Sequence, residues 1–106
     1  MNKVQVKSRV PQVIKKTRTA VSRAVKDAAK GMVADAKQHA PVDTGYLRSS
    51  VSMQMLNDLA AEVIVGADYG VYVELGTRRM AAQPFFFPAF TRTRIAFENK
   101  LRKLLS

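Results

Sequence analysis

Apolar positions recur at helical spacing from Val10 onwards, through Val21, Ala24, Val25, Ala28, Met32 and Ala36 to Ala40, all on one stripe. Ser8 is a candidate N-cap for a start near Val10, and Pro41 ends the run because the residue before a proline avoids the α region. Some thirty residues rising 1.5 Å each give a helix of roughly 45 Å. A domain of this size has a diameter of about 26–35 Å, so part of the helix projects or packs on a neighbour. Gly31 inside the run marks a bend or a close crossing. The period then changes to two. Leu47, Val51, Met53 and Met55 alternate with Arg48, Ser50, Ser52 and Gln54 over 47–56, and Ala61, Val63 and Val65 alternate with Glu62 and Ile64 up to Gly66. With a turn at Asn57-Asp58, the two runs predict an antiparallel hairpin. Residues 68–76 suit a short helix with Val71, Tyr72 and Leu75 inward, Asp68 as N-cap and Gly76 as C-cap; a strand is the alternative. Thr77–Gln83 reads as a basic loop. From Ala89 the helical period returns through Phe90, Ile95, Phe97, Leu101, Leu104 and Leu105, with Arg92, Arg94, Lys100, Arg102 and Lys103 outside.

The pattern predicts an α+β fold: a long N-terminal helix, an antiparallel β-hairpin or small sheet, a short helix and a C-terminal helix. These form one domain over 10–106, preceded by a flexible basic arm over 1–9, which shows no period.

With 106 residues, 47% of them hydrophobic, the chain builds one modest core, and a domain this short gains from oligomerisation. There is no cysteine, which removes disulfide and thiolate chemistry. No apolar stretch reaches the roughly 20 residues of a membrane span, and no apolar h-region follows the basic N-terminus, so a protein made and used in the cytoplasm is expected, away from membranes.

The net charge is +10 and is unevenly placed. Residues 1–37 hold ten Lys and Arg against two acids, residues 38–90 three against five, and residues 91–106 five against one. Basic ends suit nucleic acid or an acidic partner, with Lys15, Lys16 and Arg18 the candidate contacts; a solvated helix face is the plainer reading.

Candidate chemistry is sparse. His39 is the single histidine and sits at a helix end, where the C-terminal dipole favours it without any catalytic role. No spacing of acids suggests a metal site, and no glycine-rich loop carries the lysine a phosphate cradle needs, so neither metal nor cofactor is expected. Asp43-Thr44-Gly45 is the tripeptide of aspartic proteases, which in a dimer would pair two carboxylates. That fold is nearly all β, whereas helices flank Asp43 here. Asp43 and Thr44 as a turn and capping device, with Gly45 supplying a positive φ, require no catalysis.

Three blocks carry a family resemblance: Ala40-Pro41-Val42-Asp43-Thr44-Gly45-Tyr46-Leu47-Arg48-Ser49-Ser50, Tyr69-Gly70-Val71-Tyr72-Val73-Glu74-Leu75-Gly76-Thr77, and Met80-Ala81-Ala82-Gln83-Pro84-Phe85-Phe86-Phe87-Pro88-Ala89. In order and spacing they resemble the small neck and tail-completion proteins of long-tailed bacteriophages, over roughly residues 10–105. The resemblance implies a structural subunit of a head–tail connector or tail-completion ring. It would join the DNA-filled head to the tail, sit in the virion and meet other neck and tail proteins. Within it, Glu74 beside Arg78 and Arg79 suggests a local ion pair that orders the loop. Phe85, Phe86 and Phe87, held between prolines, are either core or subunit interface. Two other readings stand beside this one: a non-specific nucleic-acid-binding protein and, more remotely, a dimeric aspartic protease through Asp43.

Overall fold

The computed structural model describes residues 5–9, 15–41 and 45–105. Strand β1 (Gln5–Arg9) is followed by helix α1 (Lys15–His39), a helical turn α2 (Tyr46–Ser49), strands β2 (Val51–Asn57) and β3 (Ala60–Val65), a short helix α3 (Gly70–Leu75) and helix α4 (Phe87–Leu105). The strands form one antiparallel sheet in the order β1-β3-β2. This is the expected α+β class.

Several local expectations need correction. Gln5–Arg9 is not an arm: Val6 pairs with Val63 and Ser8 with Ala61, so these residues form an edge strand. Five residues of mixed character show no period of their own, and the partner that orders them lies more than fifty positions later. Ser8 therefore belongs to β1 and does not cap a helix start near Val10; residues 10–14 lie outside the described residues. The strand expected from Leu47 begins only at Val51, because Tyr46–Ser49 turns helically behind Gly45, whose φ is 83°. Asn57 closes the hairpin turn by accepting the Leu59 N–H at its Oδ1, 2.8 Å away.

The side chains of Val51, Met53 and Met55 in β2 and Ala61, Val63 and Val65 in β3 pack into the core formed with α1, to which Val21, Ala24, Val25, Ala29, Met32 and Ala36 contribute. Helix α4 runs back along α1, adding Ala89 and Phe97, with Leu101 and Leu104 packed at the margin. Ile95 and Leu105, expected inside, are exposed, because the α4 stripe facing α1 passes through Phe90, Thr93 and Phe97. The extents of 52 × 21 × 20 Å and a radius of gyration of 15.1 Å show an elongated body. A compact chain of this length would have a radius near 13 Å.

On the outer sheet face Glu62 is 5% exposed in the central strand, flanked in register by Lys7 and Gln54, and the Gln54 amide donates to its carboxylate at 3.0 Å. A central strand covers its own polar positions with neighbours on both sides, so an alternating pattern does not by itself mean exposure.

Candidate interaction site

Helix α3 and the loop behind it form the most distinctive local structure. The face of α3 that turns inward is Gly70, Val73 and Glu74, not the expected Val71, Tyr72 and Leu75. Gly70 fixes the approach: a Cβ there would meet Val65 Cγ1 at 2.8 Å. The N-cap position is Tyr69, not Asp68, and makes no side-chain cap bond. Gly76 ends the helix at φ 79° and ψ 171°, a conformation open to glycine alone, and a Cβ there would lie 2.7 Å from the Ala82 nitrogen.

Glu74 is 4% exposed and collects backbone donors. Oε1 accepts from the N–H groups of Phe85 at 3.1 Å and Phe86 at 2.9 Å, and Oε2 accepts from Phe87 at 3.1 Å. These N–H groups lie at the start of α4, where helix geometry leaves them without intrahelical partners and the macrodipole favours an anion. The carboxylate is therefore a helix cap delivered from eleven to thirteen residues upstream. Pro88 fits this first turn because its missing N–H asks for no acceptor.

The expected Glu74–Arg pair is not what orders the loop. Arg78 and Arg79 are exposed, and no ion pair of theirs occurs among the described residues. Thr77 shapes the turn, its hydroxyl accepting the N–H groups of Arg79 at 3.2 Å and Met80 at 3.1 Å. The Gln83 N–H returns to the Val73 carbonyl at 2.8 Å. Phe85 and Phe86 are 1% and 0% exposed, which assigns them to the core; Phe87 is half exposed, with its ring edge-on to Phe86 at 5.9 Å.

What α3 presents outward is apolar. Tyr72 is 59% and Leu75 67% exposed; with Tyr69 they make a strip at three-residue spacing. The Tyr46 and Tyr69 rings lie 6.2 Å apart, and a shallow groove beside them is lined by Pro41, Leu47, Tyr69, Val73, Met80 and Gln83. Sequence periodicity missed this strip because the true inward face includes a glutamate. The usable signal was the spacing of Gly70, Val73 and Glu74, with backbone donors following Pro84.

The remaining candidates are dispersed. Asp43 and Thr44 lie outside the described residues, as do the side chains of Lys15 and Lys16. Arg18 sits 3.8 Å from Asp58 at the hairpin turn. His39 Nδ1 is 2.8 Å from Asp35 Oδ1, and Asp35 also takes a two-pronged bond from Arg92, 2.8 Å from Nε and 2.7 Å from the second guanidinium nitrogen. The Arg92 bond holds the Asp35 carboxyl below its ordinary value, against the opposing effect of its partial burial. Among the described residues no group of three His, Asp or Glu is placed to hold a metal, and no helix is long and apolar enough to cross a membrane. The described residues form four helices and a three-stranded sheet, not the nearly all-β frame that a dimeric aspartic protease needs.

Fold and site together define a small α+β domain with an exposed apolar strip on α3. Residues 5–76 match the family described as "Bacteriophage HK97-gp10, putative tail-component", and the chain belongs to this HK97-gp10-like family of structural phage tail components. No curated protein and no solved structure matches the chain.

Proposed function

We propose that the chain is one subunit of a ring that completes the tail or connects it to the head, joining the DNA-filled capsid to the tail. It would be made in the host cytoplasm and carried in the virion, with copies of itself and other neck and tail proteins as partners. The observation that carries this reading is the outward strip Tyr69, Tyr72 and Leu75 on a helix whose opposite face is locked to the core. Aromatic and aliphatic side chains at the centre with arginines at the rim, here Arg78 and Arg79, are the usual make-up of an interface. Closed cyclic symmetry buries such a strip against a different patch on the neighbouring copy. Because Phe85 and Phe86 are internal, they do not make the contact.

The test is on particles. Phage carrying Tyr72→Asp with Leu75→Asp should yield full heads and tails that fail to mature or join, while the purified variant keeps its circular dichroism spectrum and melting temperature. Normal infectivity of the double variant would overturn the reading.

A further inference from the structure

The outer face of α1 carries charge of one sign in a row. Arg23, Lys26, Lys30 and Lys37 fall within a sector of about 60° and span about 21 Å along the helix axis. The sector lies opposite the buried stripe of Val21, Val25 and Met32. None of the four forms an ion pair among the described residues. Asp27 is the single acid at the edge of the sector, and it lines the α1–α4 groove together with Lys100, which brings a fifth cation to the flank of the row. A helix face that is merely solvated usually mixes signs; this one does not.

We propose that this row is a docking surface for the phosphate backbone of double-stranded DNA. A second copy of the chain offers no counterpart. Of its acids among the described residues, Asp35 is held by Arg92, Asp58 faces Arg18, Glu62 and Glu74 are buried, and Asp27, Asp68 and Glu98 are scattered over α1, the turn before α3 and α4. An anionic membrane surface is disfavoured because the positions bordering the row are Thr19, Asp27, Ala34 and a Val33 packed against the core, with no large apolar side chain free to insert. Single strands are bound on aromatic platforms, and this face has none. What remains is a straight, rigid row of cations facing a straight, rigid polyanion, which carries one charge per about 1.7 Å of axis. The surface differs from the Lys15, Lys16 and Arg18 cluster expected from the charge distribution and stands whether or not α3 is a ring interface.

Fluorescence anisotropy of the full chain with a labelled random-sequence duplex tests it between 50 and 200 mM salt. Four phosphate contacts predict a slope of log K against log salt near −3.6, a loss of on the order of a hundredfold over that range. Replacing Arg23, Lys26, Lys30 and Lys37 together by Gln should weaken binding at least tenfold at 50 mM and flatten the slope. A variant losing the same charge elsewhere, by Arg94→Glu and Arg102→Glu on α4, should change affinity less than threefold. Equal losses in both variants would mean net charge alone and overturn the proposal. So would no duplex binding at 50 mM, or row-dependent binding to polyglutamate or to vesicles with 30% phosphatidylserine in place of duplex. Phage carrying the row variant separate this from the assembly reading: heads and tails should still join.

Discussion

Two carboxylates meet the first turns of α4 in opposite ways. Glu74 is buried, and three backbone N–H groups meet it. Asp35 is only partly buried at the seam between α1 and α4 and is met by a guanidinium. The Asp35–Arg92 bonds are the shorter, at 2.7 and 2.8 Å, yet they should matter less, because water can replace either partner. Removing Glu74 strands the buried Phe85 and Phe86 donors, which cannot turn away, since they belong to the main chain. The stranded group, not bond length or formal charge, sets the magnitude.

The sharpest way to break the α3–α4 end is Phe86→Asp, which places a charge where 0% of the residue is exposed; no cooperative unfolding transition should remain in a thermal melt. Glu74→Ala comes next, with a loss of about 3–5 kcal/mol by urea denaturation, and Glu74→Gln, which keeps one acceptor oxygen, should recover part of it. Gly76→Ala should cost about 1–3 kcal/mol from its positive φ, plus whatever displacement the contact with Ala82 forces, read as a lower urea midpoint with unchanged slope. At the other carboxylate, Asp35→Asn should cost less than about 1 kcal/mol. Its pH dependence has a definite sign. The folded Asp35 carboxyl titrates below 3.8, so its contribution is present above that value and is lost as pH falls through the folded one. Wild type and Asp35→Asn should therefore converge in stability on acidification below pH 3.8. A larger loss for Asp35→Asn than for Glu74→Ala would invert the comparison.

Long repeats were legible and local reversals were not. The stripe from Val21 to Ala36 and the alternations in β2 and β3 state their buried faces directly, because many residues vote for one period. Six residues of α3 cannot, and there a buried glutamate counted as polar pointed the helix the wrong way round. Glu74 itself was noticed for its neighbours in sequence, Arg78 and Arg79. Its real partners are main-chain groups eleven to thirteen residues on, and an N–H group has no letter in a sequence. β1 was hidden for a related reason: an edge strand is specified by the strand it joins. The exposed strip of Tyr69, Tyr72 and Leu75 followed only once the inward face of α3 was known.

The pairing of β1 with β3 has a consequence in time. Val6 waits for Val63, so during synthesis the first strand emerges with nothing to bind. At ribosomal rates of 5–20 residues per second, the intervening stretch takes roughly 3–11 s. Helix α1 can form within microseconds in that interval, but its apolar stripe has no sheet to lie on until β2 and β3 arrive. Each nascent chain thus passes through a window in which an unpaired strand and a bare helix face are offered to any neighbouring chain. Closing the loop between them is the late, entropically costly step, and pulse-labelled hydrogen exchange should find the β1 amides among the last protected.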